Sequence, residues 1–192
     1  MTTIAAIQGD GWVVMGSDSQ GTYNDSKRLL MQGGKVYNNN GILIAGCGMG
    51  RGLDLMHKAW KAPKPTRKYA DVEDLDIWMA RTFIPKMRQL FIDAGYDMKD
   101  DGEYAMHESV FLIAVQGVLY IIDDDYSFDR EVRGYITSGS GGDYAQGSLF
   151  SAKAEIFTDI EHAKEAMETA IDAAKEFDIF SGGETRLYTQ EV

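Results

Sequence analysis

The sequence predicts an α+β domain in which antiparallel sheets lie between layers of helices. Residues 3–45 contain short apolar runs separated by turn residues, as expected for strands joined in hairpins. Residues 72–94 and 161–177 instead repeat their apolar side chains at the helical period. Between them, residues 110–122 form a nearly continuous apolar pair of strands, which indicates a sheet covered on both faces.

The first half of the chain is expected to contain two hairpins and two helices. The predicted strands are 3–7, 12–18, 35–37 and 42–45. Asp-Gly and Asn-Gly pairs between them favour tight turns. A helix over 50–60 is stopped by two prolines, and the helix over 72–94 is expected to kink at Pro85 and to end at Gly95.

The second half continues the same alternation of strands and helices. The predicted strands are 110–115, 118–122, 135–137 and 185–189, and the predicted helices are 143–153 and 161–177. No internal repeat or linker divides these elements. We therefore expect one domain over residues 1–192, a common length for a single core.

Composition excludes several classes of function. The net charge of −11 would repel a phosphate backbone, so nucleic acid is not an expected partner. No apolar run approaches the roughly 18 residues of a membrane span. The single cysteine, Cys47, has no internal disulfide partner, and the first residues lack the pattern of a signal peptide. These features indicate a cytoplasmic protein.

Thr2 is a candidate nucleophile. If Met1 is removed, the hydroxyl and a free α-amine belong to the same residue. An α-amine has an ordinary pKa of about 7.7 to 8.0, so it can accept the hydroxyl proton near neutral pH. A threonine in second position is common and usually has no such role, and its surroundings therefore decide the interpretation.

Asp18 and Lys35 are the expected charged partners of Thr2. Asp18 ends the second predicted strand and Lys35 begins the third, and hairpin pairing brings such strand ends beside the first residues. An ammonium near the Thr2 hydroxyl favours its deprotonated form, and a carboxylate keeps the lysine charged despite burial. The alternative for each residue is a solvated surface charge.

Short motifs lie along the whole chain. They are Thr2-Thr3-Ile4, Gly16-Ser17-Asp18-Ser19, Lys35-Val36, Ala45-Gly46-Cys47-Gly48-Met49-Gly50, Ser138-Gly139-Ser140-Gly141-Gly142-Asp143-Tyr144-Ala145 and Asp178-Ile179-Phe180-Ser181-Gly182-Gly183. Together they resemble the motifs of proteasome β subunits and the bacterial HslV peptidase. Each motif is weak alone, but their shared order along the chain makes a chance match improbable.

The resemblance implies the four-layer αββα sandwich of N-terminal nucleophile hydrolases, with Thr2 as the nucleophile. It implies an ion pair of Asp18 with Lys35, and hydrogen bonds around the Thr2 amine. The residues implied for those hydrogen bonds are Ser140, Asp178 and Ser181. Without the resemblance, the two serines read as an ordinary helix cap and a turn residue.

The glycine-rich stretch 46–52 is expected to supply backbone N–H groups for the oxyanion of a tetrahedral intermediate. It lacks the Gly-Lys-Ser/Thr ending of a phosphate-binding loop. Many relatives have Ala-Gly-Gly where this chain has Gly48-Met49-Gly50, so the donor is either Gly48 or Met49.

The resemblance also places three residues at the pocket for the substrate side chain: Gly21, Cys47 and Arg51. A thiol nucleophile at Cys47 is the alternative to buried packing at that position. Lys35 lies one residue later than an ungapped alignment would place it, which indicates a small insertion between Gly21 and Gly34.

No metal is expected to take part in the chemistry. The three histidines lack the spacing of zinc ligands, and Asp123-Asp124-Asp125 lacks the glycine and spacing of an EF-hand. The resemblance implies at most a structural Na or Mg ion held by the backbone carbonyls of Lys175, Asp178 and Ser181.

The expected function is that of a threonine-type endopeptidase that forms an acyl-enzyme on Thr2. The resemblance implies stacked homo-oligomeric rings of six or seven subunits, an ATPase unfoldase or other activator as partner, and unfolded proteins or peptides as substrates. Two alternatives stay open. One is a non-catalytic ring or scaffold subunit of the same fold, and the other is an amidase that acts on a small molecule.

Overall fold

The computed structural model describes residues 2–23, 27–97 and 105–192 of the chain. Its strands are β1 (Ile4–Gly9), β2 (Trp12–Ser17), β3 (Gln20–Tyr23), β4 (Lys27–Leu30), β5 (Val36–Asn39), β6 (Ile42–Gly48), β7 (Ser109–Val115), β8 (Val118–Ile122), β9 (Phe128–Asp129), β10 (Tyr135–Ser138) and β11 (Arg186–Glu191). Its helices are α1 (Gly50–Asp54), α2 (Val72–Trp78), α3 (Ile84–Asp93), α4 (Gly142–Ser151) and α5 (Ile160–Phe177). None of the helices in these residues is long and apolar enough to cross a membrane.

The first sheet has β1 near its centre. Its strand order is β10-β1-β2-β11, and all neighbouring strands are antiparallel. Ile4 lies opposite Ser17, the last residue of β2, and opposite Ser138, the last residue of β10. The chain segments that follow β2 and β10 are therefore brought to the residues just before β1, among them Thr2.

The second sheet has the antiparallel order β5-β6-β7-β8-β9. Two-residue turns join β5 to β6 and β7 to β8. Asn40 and Gly41 have φ angles of 58° and 86°, and Gln116 and Gly117 have φ angles of 52° and 76°. Left-handed conformations at both turn residues match the twist of the flanking strands, which fixes the register of each hairpin.

The two sheets and the helices form four layers, as the alternation of β1 illustrates. Ile4 and Ala6 point into the cluster between the sheets, whereas Ala5 and Ile7 point into the cluster under α4 and α5. A third buried cluster lies between the second sheet and the helices α1 to α3. Burial on both faces of β1 holds the start of that strand in a fixed position. The predicted α+β, αββα sandwich is thus confirmed.

Helices α2 and α3 run on without a break through a π-helical turn, Met79–Phe83. Pro85 lies in the first turn of α3. A proline has no N–H and its ring crowds the carbonyl four residues earlier, and the wider turn relieves this crowding. The single helix expected over 72–94 is therefore present, with its irregular turn placed just before the proline. A second π-helical turn, Leu55–Ala59, extends α1.

The ribbon of β3 and β4 and the short strand β9 were not predicted from the sequence. The ribbon forms a separate two-stranded sheet in which Gly21 lies opposite Leu29. It occupies much of the region between Gly21 and Gly34 where an insertion was expected. Its residues show no alternation of apolar and polar side chains, so pairing rather than burial of one face defines these strands.

Candidate active site

Asp18 is the centre of the candidate site. It follows β2 directly and is completely buried. Its Oδ1 accepts hydrogen bonds from the Lys35 Nζ at 2.5 Å and from the Thr3 N–H at 2.9 Å. Its Oδ2 accepts from the backbone N–H groups of Gln20 at 3.1 Å and Gly182 at 3.0 Å. A buried carboxylate with this many donors is held in one orientation.

Lys35 is the partner of this carboxylate, as predicted. Only 3% of the residue is exposed, and its backbone N–H donates to the Ser17 Oγ at 3.0 Å just before β5 begins. Burial lowers the pKa of Lys35 below its ordinary value, because the ammonium has lost its water, while the charge of Asp18 and the hydrogen bond to it act in the opposite direction. Lys35 and Asp18 thus form a desolvated pair rather than the alternative of two solvated charges.

Thr2 lies against this ion pair. It is 3% exposed, and its Oγ1 is 3.4 Å from the Asp18 Oδ1. Its backbone nitrogen donates to the Ser140 Oγ at 3.1 Å. The hydroxyl and the nitrogen of one residue therefore contact two different polar groups. Met1 lies outside the described residues, so its expected removal stays a prediction.

A second buried carboxylate lies behind Ser140. The Asp178 Oδ2 accepts hydrogen bonds from the Ser140 Oγ and the Ser181 Oγ, both at 2.7 Å. Because Ser181 donates its hydroxyl proton there, the Thr3 hydroxyl, 2.7 Å away, is the donor to the Ser181 Oγ. The three residues were expected to surround the Thr2 nitrogen. Ser140 contacts it directly, Asp178 acts through Ser140, and Ser181 reaches Thr3 instead.

Glycines allow the chain after β10 to approach Thr2 and Thr3 closely. Gly139 has a φ of 94°, and a Cβ there would lie 2.2 Å from the Thr2 carbonyl oxygen. A Cβ at Gly141 would lie 2.0 Å from the Thr3 Oγ1. Real Cβ atoms do not approach other atoms so closely, so the placement of Ser140 between these positions depends on both glycines.

Met49, one of the two predicted oxyanion donors, is excluded by its own backbone hydrogen bond. The Met49 N–H donates to the Glu108 carbonyl at 2.9 Å, so it is not free to bind an oxyanion. Successive residues of an antiparallel strand direct their N–H groups to opposite edges. The N–H groups of Gly46 and Gly48 therefore face the other edge, where the pairing with β5 ends at Ala45. This leaves Gly48 of the two predicted donors, because the Gly46 N–H faces Lys35 within the pairing of β5 with β6.

The predicted pocket residues lie on three different elements. The Cys47 Sγ is 3.1 Å from the Ser138 Oγ, and burial raises the pKa of this thiol, which disfavours a thiolate nucleophile. Gly21 lies in β3 with its backbone paired to Leu29, and Arg51 is exposed in α1. Their assignment to a pocket for the substrate stays a prediction.

The expected cation ligands lie at the end of α5. The Asp178 carbonyl accepts the Ser181 N–H at 3.0 Å, and the Lys175 Nζ donates to the Thr185 Oγ1 at 3.0 Å. A carbonyl has two lone pairs, so the bond to Ser181 does not prevent it from binding an ion. Within the described ranges, no cluster of three or more His, Cys, Asp or Glu side chains is arranged to hold a metal ion. The carbonyl site stays a prediction.

Sequence reasoning missed several residues that support the site. Ser17 accepts the Lys35 N–H, and the Gln20 and Gly182 amides orient Asp18. All three lie in or beside the motifs Gly16-Ser17-Asp18-Ser19 and Asp178-Ile179-Phe180-Ser181-Gly182-Gly183, which is the one signal that pointed to them. Backbone donors cannot be recognised from a sequence, because every residue except proline carries the same N–H group.

Comparisons with known proteins agree with this architecture. The sequence matches no protein-family model and no curated protein. Its fold, in contrast, is similar to that of Thiobacillus denitrificans BPH in complex with epoxomicin, with a TM-score of 0.75 and 16% identity over 99% of this chain and 98% of that chain. A second structure of Thiobacillus denitrificans BPH matches to the same extent.

A third solved structure is eukaryotic HslV from Trypanosoma brucei. It matches with a TM-score of 0.65 and 19% identity over 100% of both chains. At such low identity the likeness concerns the fold, and it extends over the whole of each chain. The predicted resemblance is therefore confirmed at the level of architecture: this chain has the proteasome-like fold of N-terminal nucleophile hydrolases.

Proposed function

We propose that this chain is a threonine-type endopeptidase subunit whose nucleophile is Thr2 after removal of Met1. The observation that carries the proposal is the double contact of Thr2. Its Oγ1 approaches the buried pair of Asp18 and Lys35, and its nitrogen contacts Ser140. A nucleophile, an adjacent base and a fixed positive charge are the elements that this chemistry requires.

In the proposed first step, the free α-amine of Thr2 accepts the hydroxyl proton while the Oγ1 attacks the carbonyl carbon of a peptide bond. The charge of Lys35 favours the deprotonated hydroxyl. The resulting oxyanion accepts a hydrogen bond from an N–H group on the free edge of β6, with Gly48 as the candidate.

In the second step, the tetrahedral intermediate expels the leaving amine, which takes the proton from the Thr2 ammonium and leaves an ester on Oγ1. Water then attacks this ester, the amine again acting as base, and the carboxylic acid product departs. Ser140 donates to Asp178. Its lone pairs therefore accept an N–H of the Thr2 amine, which orients the nitrogen lone pair for both steps.

The proposal extends to assembly and partners. The likeness to HslV supports stacked homo-oligomeric rings of about six or seven subunits. In this proposal the rings lie in the cytoplasm, and an ATPase unfoldase or another activator delivers substrates to them. Substrates are unfolded proteins or peptides. The chemistry requires no cofactor, and an Na or Mg ion at the Lys175, Asp178 and Ser181 carbonyls would have a structural role.

Intact mass spectrometry with epoxomicin tests the chemistry directly. We expect the purified protein to lack Met1, to gain one epoxomicin adduct and to lose cleavage of fluorogenic peptides on modification. Thr2→Val keeps the shape of the side chain and should lower kcat on the order of a thousandfold or more, whereas Thr2→Ser keeps a hydroxyl and should retain measurable turnover. Thr169→Val, an exposed position on α5, is the matched control and should change nothing.

The same experiment separates the alternatives. A processed protein that assembles into rings but gives no adduct and no turnover would support a scaffold subunit. An adduct together with hydrolysis of small amides, but not of peptides, would support the amidase.

A further inference from the structure

Gln20 joins elements that carry both buried carboxylates, although the proposed mechanism gives its side chain no part. The residue is completely buried at the start of β3. Its Nε2 donates to the Ile179 carbonyl at 3.0 Å, and its Oε1 accepts from the Arg28 Nε at 2.6 Å. Its own N–H donates to the Asp18 Oδ2. One residue thus contacts the end of β2, β4 and the segment that follows α5.

The segment after α5, residues 178–183, forms what we call the C-terminal turn. It supplies Asp178, which accepts the Ser140 hydroxyl, and it supplies the Gly182 N–H, which donates to Asp18. Movement of this turn would therefore disturb both carboxylates at once. The Ile179 side chain is 77% exposed, so packing holds its residue weakly and the carbonyl contact to Gln20 matters correspondingly more.

The fit between Gln20 and the C-terminal turn leaves no spare room. A Cβ at Gly182 would lie 2.5 Å from the Gln20 Oε1 and 2.8 Å from an Arg28 guanidinium nitrogen. The amide therefore packs against bare backbone, and both of its polar atoms have partners. A buried amide whose oxygen and nitrogen both have partners restricts its neighbours to one arrangement.

We infer that Gln20 is a positioning residue that holds the C-terminal turn against β3 and so keeps Asp18 and Asp178 in place around Thr2. The effect of Gln20 on turnover rests on the proposed function, whereas its positioning of the C-terminal turn does not. Loss of the contact to Ile179 leaves its carbonyl without the Gln20 donor, and the turn then opens more often.

Hydrogen exchange tests the positioning without any need for activity. We expect the peptide that contains residues 178–183 to exchange about tenfold faster in Gln20→Ala than in the wild type. The matched control is Gln190→Ala at the opposite end of the first sheet. Gln190 also bridges backbone groups, donating to the Gly41 and Ala114 carbonyls and accepting from the Gly117 N–H. Unchanged exchange of the turn in Gln20→Ala, or equal acceleration by Gln190→Ala, would overturn the inference.

Kinetics then separate positioning from general loosening. We expect Gln20→Ala to lower kcat about tenfold with KM within about twofold, and Gln190→Ala to leave kcat unchanged. Gln20→Glu keeps the acceptor for Arg28 but loses the donor to Ile179, so it should resemble Gln20→Ala. Wild-type turnover in Gln20→Glu would overturn the inference. If the wild type itself has no turnover while the exchange result holds, the positioning stands and the proposed peptidase function fails.

Discussion

Asp18→Asn tests whether the buried ion pair holds the site together. The Oδ1 accepts from Lys35 and the Thr3 N–H, and the Oδ2 accepts from the Gln20 and Gly182 N–H groups. Asparagine replaces one of these oxygens with an NH₂ group, which only donates hydrogen bonds. Whichever way the amide is turned, its NH₂ group faces at least two donors. The substitution therefore costs at least two hydrogen bonds as well as the charge that balances Lys35.

The magnitude follows from the burial of the pair. Removing one partner of a buried ion pair costs about 3–5 kcal/mol, because the other charge is left uncompensated. Each buried N–H without an acceptor costs about 1–3 kcal/mol, but these terms overlap and do not add in full. We expect the free energy of unfolding to fall by about 4 kcal/mol, a large share of the stability of an ordinary domain.

The assay is chemical denaturation at a fixed protein concentration, since any assembly makes apparent stability depend on concentration. The matched control is Asp54→Asn, which makes the same chemical change in a pair with Lys58 where the aspartate side chain is 56% exposed. That variant should lose about 0–1 kcal/mol. If the two variants lose the same amount, Asp18 does not hold the site together through its buried ion pair.

Burial lowers the pKa of His107 from 6.5 to about 4. Below pH 6.5 the unfolded chain therefore binds a proton that the folded chain does not. Because of this difference, the free energy of unfolding falls by about 3 kcal/mol as the pH drops to about 4. In chemical denaturation at pH 7 and pH 4.5, His107→Phe should lose less stability at acid pH than the wild type. The control His162→Phe, at an exposed position, should behave like the wild type. Equal losses in the wild type and His107→Phe would contradict this. Gly139→Ala forces a left-handed residue and a clash with the Thr2 carbonyl, and should destabilise by at least about 2 kcal/mol. Gly147→Ala in α4, where a Cβ meets nothing within 4 Å, should instead raise the free energy of unfolding by about 0.5–1 kcal/mol. If the two variants unfold at the same temperature, the close approach of Gly139 to Thr2 is refuted.

Strands with strong local signals were predictable from the sequence. The Asn40-Gly41 pair adopts the left-handed turn that its residue types favour, Gln116-Gly117 adopts the same turn with a favourable residue only at Gly117, and both hairpins were predicted. The ribbon of β3 and β4 gave no such signal, because its strands form through pairing with each other and not through an apolar face. Pairing without burial of one face leaves no alternation of apolar and polar residues by which such strands could be predicted.

The site was predictable only in part for a related reason. Asp18 and Lys35 sit at the ends of predicted strands. Hairpin pairing of β1 with β2 brings Asp18 to the residues before β1, whereas Lys35 reaches Asp18 only because the two sheets pack face to face. Ser140 and Asp178 could be grouped with Thr2 only through the motif resemblance, since no local rule connects residues so far apart in the chain. The choice between Gly48 and Met49 depended on which edge of β6 each N–H faces, and that is fixed by strand register alone.

The contacts of the candidate site also set a condition on when it can exist during synthesis. Asp18 takes one of its donors from Gly182, 164 positions away, and the Thr2 nitrogen takes its acceptor from Ser140, 138 positions away. Contacts over such separations form only after most of the chain is available. A nascent or truncated chain that ends before the C-terminal turn therefore carries the threonine without its surroundings, so the proposed peptidase activity would require completion of the fold.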